Sequence, residues 1–130
     1  MAGKIVADQL EHSTAGSVDT QYVVNGSAKA WVDKPANGAS INDSFNVSTL
    51  DDDGTGDFGL NFTSSLSSAN YSVSGMADDG ASSGSAINID TTSGTNASGS
   101  IDLETYYVSS VSNRTNNDNR GYVAIHGDLA

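Results

Sequence analysis

"DDDGTGDFGLNFT", Asp51 to Thr63, admits three chemistries. Gly54, Gly56 and Gly59 have the G-x-G-x-x-G spacing of a dinucleotide loop, and Asp51, Asp53 and Asp57 have the spaced acids of a calcium loop. The same residues also suit a turn between two strands. A dinucleotide loop needs an apolar strand before it and a helix after it, whose N-terminal amides hold the pyrophosphate. Here "LNFT" continues in strand-like alternation, and the adjacent carboxylates would repel phosphate. Calcium takes about six to eight oxygens, and Asp51, Asp53, Thr55 and Asp57 supply several. The order of glycine and acid is not that of an EF-hand, however, and no bidentate Glu stands at the required distance. The hairpin uses more of the residues: "VSTL" and "DFGLNFT" alternate on both sides, Asp53–Gly54 is a strong turn dipeptide, and glycines admit positive φ. The stretch reads as a hairpin loop, with calcium at Asp51, Asp53 and Asp57 kept as the alternative.

Period-two alternation extends outward from this hairpin. Ala28, Ala30 and Val32 share one face of "SAKAWVD", with Lys29 and Trp31 on the other. "SINDSFNVSTL" puts Ile41, Phe45 and Val47 on one side and Asn42, Ser44, Asn46 and Ser48 on the opposite side. Phe58, Leu60 and Phe62 fall together, as do Tyr71 with Val73, Ile87 with Ile89, Ile101 with Leu103, Thr105 and Tyr107, and Val123 with Ile125. Turn clusters rich in Gly, Ser, Asn and Asp separate the runs. About seven short strands, each with one apolar face, predict an all-β chain: an antiparallel β-sandwich, jelly-roll-like, over residues 21–130. No segment after residue 12 sustains helical periodicity. Residues 1–20 differ, because Ile5, Val6 and Leu10 are apolar without a convincing partner nearby. They read as an extended N-terminal docking arm whose apolar side chains bury against a partner.

Composition excludes several classes. The chain has 130 residues and a net charge of −11, with 14 glycines, one proline and no cysteine. Residues 1–34 sum to −1 and residues 35–130 to −10. A body of that sign repels nucleic acid and anionic membranes, and the absence of cysteine removes disulfides and thiolate metal sites. No apolar run approaches the ~20 residues of a membrane span, and "MAGKIVADQLEHSTAG" lacks the apolar core of a signal peptide. Synthesis in a cytoplasm without classical secretion is therefore expected. Asn-x-Ser/Thr triplets at Asn25, Asn42, Asn46, Asn61, Asn70, Asn96 and Asn113 follow from polar strand faces rich in Asn and Ser.

Catalytic motifs fare no better than the nucleotide loop. "GASSG", Gly80 to Gly84, matches a nucleophile elbow with Asp90 and His126 after Ser82, but it lies in a loop before another strand, where the elbow needs a helix. His12 and His126 have no evident partner, and no spacing singles out a glycosidase pair of acids. No catalytic, cofactor-binding or metal residue is assigned. The candidate contact residues are aromatic. Trp31, the sole tryptophan, packs most simply in the core or against the arm, and its alternative place is a subunit interface. Tyr106, Tyr107 and Tyr122, with Arg114, form a candidate receptor or sugar-stacking patch. Adjacent strand residues face opposite ways, so Tyr106 and Tyr107 cannot both be core.

"NGSAKAWVD" and "INDSFNVSTLDDDGTGDFGLNFTSSLSSANYSVSGMA" resemble a repeated signature of short structural proteins and tail-fibre modules of tailed phages, notably marine ones. That signature has a "KAWV" strand, a "FNVSS" strand, a D-x-G-T-G-D turn, a "NFT" strand and an "ANYSV" strand. The opening "MAGKIVADQLEHSTAG" and the closing "GYVAIHG" are similar too. The chain departs from the pattern at "DKPANGAS" after "KAWV", and its second half matches in rhythm only. The resemblance implies a non-enzymatic virion protein, a homotrimeric fibre or knob module on the particle surface that contacts the host. Its partners would be phage capsid or tail proteins, and a host-surface glycan is a further candidate. Two other readings stay open: a capsid decoration or head-fibre protein, and a carbohydrate-binding module with a calcium-supported loop.

Overall fold

The computed structural model describes residues 3–36, 40–78, 84–90, 96–110 and 113–130. Along these run β1 (Gln9–His12), β2 (Gly16–Asp19), a helix α1 (Thr20–Gly26), β3 (Ala30–Lys34), β4 (Asp43–Phe45), β5 (Val47–Gly54) and β6 (Asp57–Phe62). There follow β7 (Ser72–Asp78), β8 (Gly84–Ile89), β9 (Ser100–Ser110), β10 (Asn113–Asn116) and β11 (Arg120–His126). The opening stretch is a hairpin: β5 and β6 pair antiparallel, with Gly54 opposite Asp57. The turn falls at Thr55–Gly56, two residues beyond the Asp53–Gly54 dipeptide. A register shift between Asp52 and Gly54 moves it there, and Gly54 and Gly56 both take positive φ.

Two antiparallel sheets pack face to face. One has the order β4-β3-β11-β7; the other is built on the long strand β9, with β8 on one edge and both β6 and β10 on the other. Strand β6 covers Ser100 to Glu104 of β9, and β10 covers Tyr106 to Ser110. Strand β5 flanks β6. Between the sheets lie Ala30 and Val32 of β3, Val123 and Ile125 of β11, Leu50 of β5, Phe58, Leu60 and Phe62 of β6, Ile101 and Leu103 of β9, and Leu66. Apart from Leu50, which a register shift between Val47 and Thr49 turns inward, these strand residues sit on the face that alternation assigned to them, since successive strand side chains point to opposite sides. Tyr71 closes one end of this layer. Its ring meets Phe62 edge-on, with centroids 6.1 Å apart, and its hydroxyl donates to the Ser100 carbonyl at 2.9 Å. Burial, helped by the Asp102 charge, pushes its pKa up to about 12.

One expected face is wrong. Phe45 does not share a face with Ile41 and Val47; it is exposed on the outer surface of the four-stranded sheet, opposite Trp31. The cause is Asn46, whose φ of 56° breaks the extended run and sends β4 and β5 into different sheets. Asparagine tolerates this left-handed conformation. Its amide also holds the corner, donating to the Lys29 and Ser64 carbonyls at 3.0 Å each while its Oδ1 accepts from the Ser64 amide at 2.7 Å. What reads as one strand is two.

The hairpin tip is seated as tightly as the core. The Thr105 amide donates to the Gly56 carbonyl at 2.6 Å, and the Gly56 amide donates to Asp118 Oδ1 at 2.6 Å. A Cβ on Gly56 would collide with the Thr105 carbonyl oxygen and lie 2.6 Å from the Asn117 nitrogen.

Before the sandwich, β1 and β2 form a separate hairpin, and α1 follows where no helix is expected. None of the helix residues is buried. Local bonds hold it: Thr20 Oγ1 donates to the Ala7 carbonyl at 2.6 Å, and the Lys29 ammonium donates to the carbonyls of Val24 and Ser27. A cation at those carbonyls satisfies groups that a helix C-terminus leaves unpaired. Ile5, Val6 and Leu10 are all exposed.

Gly56→Ala should lower unfolding stability by about 2–5 kcal/mol, combining a left-handed non-glycine residue with a backbone clash. Gly99→Ala, where the new Cβ meets only Ser65 Oγ at 3.6 Å, should stay within about 1 kcal/mol. Urea denaturation of the two variants beside the parent checks this.

Candidate docking surface

The two sheets turn chemically different faces outward. On the five-stranded sheet the outer residues are mostly polar, with Val108 the exposed aliphatic exception on β9. Asn61 donates to Asp51 Oδ2 at 2.7 Å and to Thr49 Oγ1 at 3.1 Å, and Asn88 donates to the Tyr106 hydroxyl at 3.0 Å. Arg114 forms a bidentate pair with Glu104, at 2.7 and 3.0 Å, and its guanidinium stacks 4.7 Å from the Tyr106 ring centroid. The β9 alternation that buries Leu103 and Thr105 directs Glu104 and Tyr106 to this side.

The four-stranded sheet is the opposite. Its register sets Phe45, Trp31, Ala124 and Ser74 in one row across the strands, and Asp43, Asp33, Tyr122 and Met76 in the next. Phe45 is 52% exposed, Met76 75%, Tyr122 40% and Trp31 37%. Trp31, Met76, Tyr122 and Ala124 line a shallow groove of about 550 Å³. Arg120 borders it: its guanidinium pairs with both Asp33 oxygens, at 3.0 and 2.7 Å, and lies 4.9 Å from the Tyr122 ring centroid. The hydrogen bond from Arg120 is the main cause holding the Asp33 carboxyl below its ordinary 3.8, and Asp33 in turn raises Arg120.

The sequence-derived contact residues therefore divide. Trp31 and Tyr122 come together on the apolar face, Trp31 outside the core and beside Phe45, because its neighbours Ala30 and Val32 occupy the inner face. Tyr106 and Arg114 stack on the other sheet, and Tyr107 is half-buried on β9, opposite Ser85 and Thr115. Phe45 and Met76 complete the apolar face and were not among the expected contacts. Met76 carried a signal, being the one large apolar residue among the outward Ser72, Ser74 and Asp78 of β7.

The other candidates have local roles. His12 Nδ1 accepts the Ala15 amide at 3.1 Å and so closes the β1–β2 turn. His126 Nδ1 lies 3.1 Å from the Gly26 carbonyl oxygen, at the junction of helix and sandwich. Asp90 is buried, and Ser82 lies outside the described residues. Asp51 bonds Asn61, and Asp52 accepts the Gly54 amide at 3.2 Å. No group of three or more acids and histidines is placed to hold a metal ion among the described residues. No described helix is long and apolar enough to cross a membrane.

Compared with known proteins, the chain matches no family model, no curated protein and no solved structure.

Asp33→Asn should lower stability at neutral pH, because the folded state gains a carboxylate–guanidinium pair that the unfolded chain lacks. A carboxyl whose folded pKa lies below its unfolded value contributes above that value and loses its contribution as pH falls. The gap in urea midpoint between parent and variant should thus be full above pH 3.8 and narrow progressively below it.

Proposed function

We propose that the chain is a non-enzymatic virion structural protein of a tailed phage, a fibre- or knob-type module displayed on the particle exterior for contact with the host surface. The observation that carries this reading is the distribution of apolar surface. The sandwich buries one core, yet large apolar side chains stand outside it, and besides Ile89, Val108 and Leu129 they gather in two regions: the N-terminal segment with Ile5, Val6 and Leu10, and the sheet face with Trp31, Phe45, Met76 and Tyr122. Monomeric proteins keep exposed apolar patches small, and larger ones mark surfaces that meet another molecule. A chain with this many contact surfaces suits an assembly of repeated subunits. The resemblance of "KAWVD", "DDDGTGDFGLNFT" and "ANYSV" to phage fibre modules supplies the setting.

The acidic charge supports the same reading. The body from residue 35 onward carries −10, while residues 1–34, from the arm through β3, sum to −1. Like-charged bodies repel when crowded on a particle, so attachment falls to the neutral end.

Density-purified particles, labelled with antibody raised against the recombinant chain, test the reading. Label on the exterior at the tail is the expected result, label on the head moves the chain to capsid decoration, and absence from purified particles overturns the proposal. Removing residues 2–20 is expected to leave a cooperatively melting sandwich that no longer assembles by analytical sedimentation. An arm-less chain that still assembles would place the docking element elsewhere.

A further inference from the structure

The apolar sheet face has one well-matched occupant within the chain itself. Residues Gly3–Ala7, "GKIVA", precede β1 and belong to no strand or helix. Ile5 is 89% and Val6 83% exposed, more than any other large hydrophobic residue described. The segment carries one cation, Lys4, and no acid. The face it would meet carries Asp33, Asp43 and Asp78 along its rows against a single guanidinium, that of Arg120. An apolar strip rimmed by acids and an apolar segment led by a lysine are complementary in both respects.

Area sets the scale of the contact. The exposed fractions of Trp31, Phe45, Tyr122 and Met76 amount to roughly 350 Å², taking ~200 Å² for a whole aromatic side chain. Ile5 and Val6, the large apolar residues of the Gly3–Ala7 segment, add roughly 170 Å², at on the order of 100 Å² per aliphatic side chain. Because interfaces are only about 60% apolar, this combined surface corresponds to a total of ~870 Å², the size of a weak contact that gains strength when it is repeated between several copies. Two copies of the face packed on each other would gather Asp33, Asp43 and Asp78 of both copies into one contact with only the two Arg120 guanidiniums, and would leave the arm exposed.

We propose that the outer face of the β4-β3-β11-β7 sheet is the docking site for the Gly3–Ala7 segment of a second copy of this chain, Ile5 and Val6 lying over Trp31, Phe45 and Met76. Such a contact is heterologous, arm to face, and so builds a closed ring when the rotation between copies closes. The inference rests on the reading of the chain as a self-assembling displayed module.

The absence of native cysteine makes the contact directly measurable. Full-length Ile5→Cys and Met76→Cys chains, one carrying a mass tag, are mixed, unfolded and refolded together, then treated with a short bis-maleimide. The expected product is the mixed Ile5→Cys to Met76→Cys cross-link. A Met76→Cys homodimer as the sole product would establish face-to-face packing and overturn the proposal. So would an intramolecular link in the monomer of the double variant, or an intact oligomer with no link. In parallel, Ile5→Asp is expected to weaken self-association at least tenfold without changing the melting temperature, and Ile5→Leu to preserve it; unchanged association in Ile5→Asp overturns the proposal. A mixed cross-link in a chain absent from particles defeats only the virion reading, whereas particle association without it defeats only this contact.

Discussion

The seat of Gly56 against β9 is the constraint on which the two-sheet arrangement depends. At Thr105 the strand exchanges one neighbour for another, β6 before it and β10 after it. The hairpin tip fills the junction: Thr105 donates its amide to Gly56, while its carbonyl accepts the Asn117 amide at 3.1 Å and its hydroxyl donates to the Asn117 carbonyl at 2.7 Å. A buried strand that left these groups unbonded would be penalised for each of them. From Asn117 the chain passes through the buried Asn119 into β11, so the same junction sets where the chain crosses from one sheet to the other. Lys34, buried at this end, points its ammonium toward the Phe58 ring, 5.1 Å from the centroid, and donates to the Pro35 carbonyl at 3.2 Å. Burial holds that lysine below its usual range, with the carboxylates of Asp118 and Asp52 pulling the other way. Polar groups thus fix the register at one end of a core that is otherwise apolar.

With the register fixed, alternation decides what each outer face displays, and the sheets diverge. Behind Leu60, Ile101 and Leu103 stand Asn61 and Asp102, partly open to water, and Glu104, buried beneath the Arg114 guanidinium that pairs with it. Behind Ala30, Val32 and Val123 stand Trp31, Tyr122 and Ala124, which carry no charge. Both arginines within the sandwich are committed, each held by a carboxylate and a tyrosine ring, Arg114 on one face and Arg120 on the other. The polar face is the one fit to meet water. The other has the composition of a contact.

Much of this was legible in the residues. The inward positions of Phe58, Leu60, Phe62, Ile101, Leu103, Val123 and Ile125 follow from period two alone, because each strand keeps one face buried throughout. The hairpin at Asp51–Thr63 was legible from its glycines, though the turn itself lies two residues further on, displaced by the irregularity after Asp52. Phe45 was misread because alternation assumes an unbroken strand, and nothing local marks Asn46 as a left-handed corner; its bonds go to Lys29 and Ser64, distant in sequence. Helix α1 was missed for a related reason. With no buried face it has no periodic apolar stripe, and the bonds that hold it come from Ala7 and Lys29, outside its own span. Trp31 and Tyr122 were identifiable as contact residues one by one, but their meeting across β3 and β11 depends on pairing between residues far apart in the chain.

Charge then limits how such a subunit can associate. Each copy brings a net −11, so bringing copies together opposes itself unless the meeting surfaces are locally neutral. On the apolar face, Arg120 pairs with Asp33, Trp31, Phe45, Ala124 and Met76 add no charge, and Asp43 and Asp78 stand at the rim, where a cation such as Lys4 would meet them. Repulsion between the remaining surfaces is long-ranged in dilute buffer but falls off over about 8 Å at physiological ionic strength. The hydrophobic gain from covering the face does not depend on that screening. Association through this face should therefore strengthen as salt rises, the reverse of the behaviour of a contact held by opposite charges alone. A protein whose net charge repels its copies while one sheet displays Trp31, Phe45, Met76 and Tyr122 can stay dispersed as a free chain and still pack at close quarters, because screening weakens the repulsion and leaves the apolar gain in place.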